Sequence, residues 1–174
     1  MSIVDPRERY DNLLVTQSQQ MLAPEEFRDT IDSEVVEIGW LAVGFVFDDS
    51  DRVLLIDQPW ADGWMEPGGV PKPNESLSEA VVREIREETG VKCTPVQPHA
   101  IDEYTFTNER TDETSGWTLV FFEAEAETTE IKGELGLEHE TIDNAGWFEQ
   151  LPDNLFHQGL TKQVYQRCLS NGPS

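Results

Sequence analysis

Three glutamates, Glu84, Glu87 and Glu88, are the residues best spaced to do chemistry. They sit in the run Gly69 to Val91, GVPKPNESLSEAVVREIREETGV. The run reads as a Gly/Pro loop followed by a helix. Ser76 and Glu79 have capping-box spacing, and Gly90 stands where a left-handed C-terminal cap belongs. Good helix formers fill the interval, and Pro71 and Pro73 keep the approach non-helical. At about 100° per residue, with Glu84 as zero, Glu87 falls near ~300° and Glu88 near ~40°, so the three carboxylates share an arc of roughly 100°. Leu77, Ala80, Val81 and Ile85 lie on the same side, so the apolar stripe of the first turns runs into the carboxylates of the last.

Such a cluster is electrostatically costly. Like charges three and four apart repel by a few tenths of a kcal/mol per pair, and the helix dipole disfavours negative charge at the C-terminal end. Arg83 is expected to pair with Glu79 and Glu87 at i±4, but one guanidinium cannot neutralise three carboxylates. A divalent cation such as Mg²⁺ or Mn²⁺ would, since hard cations take carboxylate oxygens. The wheel alone fits a solvated acidic face equally well.

The wider spacing separates the two. Gly69, five residues, Glu75, seven residues, Arg83-Glu84-Ile85, one residue, Glu87-Glu88, one residue and Gly90-Val91 resembles the Nudix box of the Nudix hydrolase family at every fixed position. Trp64-Met65-Glu66-Pro67-Gly68-Gly69 resembles the Trp-x-x-Pro-Gly-Gly approach to that box, and looser likeness extends from about Ile38 to Phe148. The resemblance implies an α/β/α sandwich built on a mixed sheet, and metal-dependent hydrolysis of a nucleoside diphosphate linked to another group. It implies the Gly69 carbonyl, Glu84, Glu87 and Glu88 as metal ligands. Glu84 and Glu87, with Arg83 as orienting residue and Glu140 in a later loop, form the implied catalytic set. Glu138 and His139 compete with Glu140, and Glu75 supports the loop.

The chain also departs from the family. Relatives often carry Arg or Lys after the second strand, where Asp57-Gln58-Pro59-Trp60 stands here. Lys72, Arg52 and Arg110 are the cations left to grip phosphate. Trp40, Phe47, Trp60, Tyr104 and Phe156 are candidates to stack a base or to fill the core. No substrate signature follows the box, so a nucleoside triphosphate and a nucleotide sugar such as ADP-ribose both stay open. Two other functions compete: a non-catalytic Nudix module that binds nucleotide or protein, and an isopentenyl-diphosphate isomerase-type enzyme. The latter needs an early catalytic Cys, whereas Cys93 follows the box and Cys168 lies in the tail. These two cysteines, and His99 and His157, show no metal spacing.

The rest of the chain must hold the loop and helix. Its 174 residues suit one domain with a good core. Ile38–Phe47 and Val53–Gln58 read as strands joined by the turn Asp48–Asp51. Ala100–Thr107, Trp117–Glu125 and Ala145–Phe148 are further strands. Thr128–Asn144 is a long acidic loop, and Pro152 opens a last helix over Leu155, Leu160, Val164 and Leu169. Residues 1–34 read as an N-terminal helical extension to a domain over 35–174, with helices opening at Pro6 (through Leu14) and at Pro24. That extension packs on the core, pairs two copies as a homodimer, or covers the site.

Composition sets the surroundings. There are 35 acidic against 12 basic residues, for a formal net charge of −23 spread along the chain. Such a surface repels nucleic acid and anionic membranes and resembles that of halophilic proteins, whose self-repulsion salt screens. No run approaches about 18 apolar residues, and the N-terminus lacks a signal-peptide core. The expected setting is cytoplasmic, with reduced cysteines.

Overall fold

The computed structural model describes residues 3–137 and 141–170. Its centre is a seven-stranded mixed sheet in the order β1-β5-β6-β2-β3-β7, with the two-residue β4 paired to β2. The strands are β1 Leu14–Leu22, β2 Trp40–Phe47, β3 Val53–Asp57, β4 Gly68–Gly69, β5 Cys93–Asn108, β6 Thr114–Ala126 and β7 Asn144–Phe148. The helices are α1 Pro24–Ile31, α2 Glu34–Ile38, α3 Leu77–Thr89 and α4 Gln158–Ser170. β1 runs parallel to β5 and β6 parallel to β2; the remaining pairs are antiparallel.

Strand alternation divides the core into two layers. Along β2, Ala42 and Val46 face α3, where they meet Leu77, Val81 and Ile85. Val43 and Phe45 face the other way, toward Val164 and Tyr165 of α4. Gly44 lies between them on the α3 side. A Cβ there would sit 3.1 Å from both Ile85 Cδ1 and Val81 Cγ2, so glycine lets the helix approach the strand closely. The expected sandwich, with helices on both faces of a mixed sheet, is what the chain forms.

Helix α3 has the expected ends. Glu79 N–H donates to Ser76 Oγ (3.1 Å), and Ser76 N–H donates to Glu79 Oε1 (3.2 Å). Gly90 takes φ 84° as the C-terminal cap. The acidic loop after β6 docks on this end of the helix: Lys132 N–H donates to Thr89 O (2.9 Å) and Gly136 N–H to Glu88 O (3.0 Å). The Lys132 ammonium donates to Glu87 O. These contacts satisfy carbonyls that a helix end leaves orphaned, and they put a cation on the negative pole of the dipole.

Three expectations are corrected. The helix foreseen from Pro6 is a single 3-10 turn, Pro6–Glu8, and Leu14 opens strand β1. β1 alternates polar residues on its covered face: the Thr16 and Ser18 hydroxyls both donate to buried Asp102 Oδ1 on β5, at 2.7 and 3.0 Å. The helix at Pro24 forms as expected, over Pro24–Ile31. The last helix begins at Gln158, not Pro152, because Leu155 bridges to Trp64 and packs beneath the sheet before the helix starts. Strand β5 begins at Cys93, seven residues earlier than the apolar pattern indicated. Glu138, His139, Glu140 and residues 171–174 lie outside the described residues.

Candidate functional site

The Gly/Pro loop meets the helix through glutamates and one arginine. Gly68 N–H donates to Glu88 Oε1 at 2.8 Å. Gly69 lies against Glu84 so tightly that a Cβ would fall 2.6 and 2.7 Å from the two carboxylate oxygens. The strand that the two glycines form on β2 (Gly68 opposite Val43, Gly69 opposite Ala42) fixes this approach. Helical spacing brings Glu84, Glu87 and Glu88 to the same end. Glu84 and Glu88 are buried, and Glu87 is part exposed.

Arg83 organises the acids. It grips Glu75 with both arms, Nε to Oε2 at 2.7 Å and Nη2 to Oε1 at 2.9 Å. Its Nη1 donates to Glu84 Oε1 (2.9 Å) and Glu87 Oε2 (3.0 Å), and Nη2 donates also to Val70 O (3.1 Å). The expected partner Glu87 is there. Glu79 is not, because its carboxylate is spent on the capping box. The guanidinium holds the Glu75 carboxyl below its ordinary value, and Glu75 in turn raises Arg83, so the pair stays charged. Lys72 Nζ stands 3.9 Å from Glu87 Oε1. Two cations therefore face a crowd of glutamates, with glycine backbone pressed against one of them. Such an arrangement suits a hard divalent cation: oxygen donors converge, and the backbone comes as close as a missing Cβ allows.

Across the sheet, on the α4 side, lies a cavity of about 750 Å³. Trp60, Tyr104 and Phe156, three of the aromatic candidates, line it together with Trp117. Trp60 meets Phe156 edge-on at 5.4 Å, and Tyr104 stacks on Trp117 at 4.5 Å. Ser18 and Gln20 of β1 and Asp102 of β5 add polar wall. Trp40 and Phe47 belong instead to the packed core, Phe47 stacked on Tyr165. Arg52 sits in the β2–β3 turn, where it binds Asp48 at 2.7 Å and lies over the Trp147 ring. Arg110 occupies the turn between β5 and β6.

Glu66 also borders the cavity, and residue-by-residue reading did not single it out. It is 5% exposed, and its Oε1 has no hydrogen-bond partner among the described residues. Burial pushes its carboxyl up to about 7, against a smaller lowering by Thr161. Two residues, Pro67 and Gly68, separate it from Gly69, a span of at most about 10 Å.

A second group of donors lies apart from the box. His99, Glu123 and Cys168, from β5, β6 and α4, form a potential metal-coordinating cluster with ligand atoms all within 4.8 Å of one another. Their separation in sequence hid them. Both cysteines are free and buried, and burial raises both thiols, Cys93 to about 11, which is the reverse of an activated nucleophile. No helix among the described residues is long and apolar enough to cross a membrane.

Residues 38–158 match the NUDIX domain model. The chain belongs to the Nudix family. Among curated relatives, it is similar to an uncharacterized Nudix hydrolase, YvcI, of Bacillus subtilis: 34% identical over 84 residues, covering 48% of this chain and 52% of that protein. This Nudix chain thus spans about half the length of that relative, and less of several others. Among solved structures, a UDP-X diphosphatase superposes with a TM-score of 0.54 at 23% identity, over 84% of this chain and 72% of that one. An ADP-ribose pyrophosphatase from Streptococcus suis gives 0.53 at 18% identity, over 78% and 92%. At these identities the two structures bear on the fold.

Proposed function

We propose that this Nudix protein is a Mg²⁺- or Mn²⁺-dependent hydrolase that cleaves a phosphoanhydride in a nucleoside diphosphate linked to another group. The observation that carries this reading is the Gly69 backbone set against Glu84, beside Glu87 and Glu88, with room for no side chain between them. The Gly69 carbonyl, Glu84, Glu87 and Glu88 would hold the metal, which when bound neutralises phosphoryl charge and lowers the pKa of its water. Arg83 is a positioning residue: its contacts to Glu75, Glu84 and Glu87 fix where those carboxylates point. Of the phosphate-gripping candidates Lys72, Arg52 and Arg110, Lys72 is the one that reaches the glutamates, 3.9 Å from Glu87 Oε1, and the one we assign to substrate phosphate. Glu140 is retained as the acid offered by the loop after β6.

The aromatic cavity supports the nucleotide part of this reading. Its volume is of the size that holds a small ligand, and Trp60, Tyr104 and Phe156 offer faces and edges to a planar base. We infer further that the protein works in a reducing, cytoplasmic compartment, as two free buried thiols suit, and that its acidic surface serves in high salt. The test is a phosphate-release screen of the full chain with Mg²⁺ over nucleoside triphosphates and nucleotide sugars, wild type against Glu87→Gln. Turnover by wild type that Glu87→Gln lowers at least about a hundredfold is expected. Equal inertness of both proteins on every compound would instead leave a binding module.

A further inference from the structure

The cluster at the junction of β5, β6 and α4 is built rather than incidental. In β5, Pro98 pairs with Phe122 and Ala100 with Phe121, which leaves His99 as the extra residue of a bulge. Bulges re-aim side chains. Without it, alternation would send His99 to the α3 side with Ile101. With it, His99 turns toward α4, where it is 2% exposed and its Nε2 lies 2.8 Å from Glu123 Oε1. Glu123 follows Phe121 on the same face of β6, and Cys168 comes up from the last turns of α4 in the same layer.

We propose that His99, Glu123 and Cys168 bind a transition-metal ion, zinc in the first instance, at a site separate from the carboxylates of the box. One imidazole, one thiolate and one carboxylate are zinc's own donor types, at bond lengths of about 2.0–2.3 Å. Tetrahedral bonds of that length set the donor atoms roughly 3.3–3.7 Å apart. The separations here straddle that range, from 2.8 Å between His99 and Glu123 to 4.8 Å at most across the set, so closure needs a movement of about 1 Å. Magnesium, which demands oxygen ligands in an octahedron, is a poor match for this set and a good match for the box. The two sites therefore sort two classes of metal.

The Cys168 thiol proton leaves to solvent as the metal binds, because the ligand is the thiolate. Bound there, the metal ties α4 to β5 and β6, and through α4 it steadies the cavity wall at Leu160 and Thr161.

The test uses the full chain, stripped of metal and then given zinc in the presence of millimolar Mg²⁺ to fill the box. We expect one zinc per chain by elemental analysis, and with Co²⁺ a near-ultraviolet thiolate-to-cobalt band. Cys168→Ser should abolish the band and weaken zinc binding at least tenfold; Cys93→Ser and Glu87→Gln should leave both intact. A folded wild type with no cobalt–thiolate band, or zinc that Mg²⁺ fully displaces, overturns the proposal and leaves a hydrogen-bonded His–Glu pair beside a thiol. If Cys168→Ser fails to fold, the wild-type band and its survival in Cys93→Ser decide. A band that Cys93→Ser removes also overturns it. None of these readings depends on hydrolase activity.

Discussion

Replacing Glu66 by glutamine should stabilise the protein at alkaline pH and leave it nearly unchanged in acid. Glu66 is buried, and burial raises its carboxyl from 4.5 to about 7. Below 4.5 the folded and unfolded states both hold the proton. Between 4.5 and about 7 the unfolded chain loses it first, so stability falls as pH rises. Above 7 both states are ionised and the full penalty stands. The gap between 4.5 and about 7, at roughly 1.4 kcal/mol per pH unit, amounts to about 3 kcal/mol. Glutamine keeps the shape and the hydrogen bonds of the neutral acid but cannot ionise, so Glu66→Gln escapes the penalty. The assay is urea denaturation of wild type and variant at pH 4.5, 6 and 8 at one fixed salt concentration. The difference between the proteins cancels the titration of every other carboxylate. We expect a gap near zero at pH 4.5 that grows to about 3 kcal/mol in favour of the variant at pH 8. A gap independent of pH, or a variant less stable at pH 8, would refute the burial argument.

Other perturbations reach the box and the surface. Gly69→Ala forces Glu84 out of its place, since the new Cβ would sit 2.6 and 2.7 Å from its oxygens. Displacements of about 1 Å can cost a hundredfold, so kcat should fall about that far while circular dichroism keeps the wild-type shape. Arg83→Lys cannot reproduce the two-armed grip on Glu75 and should cost about 2 kcal/mol at neutral pH. Because Arg83 lowers the Glu75 carboxyl, that stability is present above 4.5 and lost as pH falls through the folded value, so the cost of the variant in melts should shrink in acid. The net charge of −23 should make the melting temperature climb with KCl toward molar concentrations, where the screening length falls to about 3 Å. A flat profile would show that self-repulsion is not what limits this fold.

The box was legible because one helix with caps in the sequence carries it, and 3.6-residue spacing needs no tertiary knowledge to align Glu84, Glu87 and Glu88. Arg83 was legible as a hub, but its grip on Glu75 was not, since that contact depends on how the loop folds back. Trp60, Tyr104 and Phe156 could each be suspected. That they share one cavity depends on a loop, a strand and the approach to α4 meeting across the sheet. β1 escaped because its inward residues, Thr16, Ser18 and Gln20, are polar where a buried strand is expected to be apolar; they face Asp102 and the cavity instead. His99, Glu123 and Cys168 follow no motif, and only a bulge at one residue turns the histidine toward the others.

Strand β1 also bears on how the molecule meets its own copies. It stands at the end of the sheet order, pairing with β5 on one side and with no strand on the other among the described residues. Its nine residues, LVTQSQQML, contain no ionisable side chain, and Val15 and Met21 are exposed. An unpaired strand edge invites another strand, and proteins commonly guard such edges with charge. Here the charge that can guard the edge is global rather than local, a net −23 carried by every copy. Salt that quiets this repulsion for the sake of the fold therefore removes the protection of its most sociable edge, so stability and solitude pull in opposite directions as ionic strength rises.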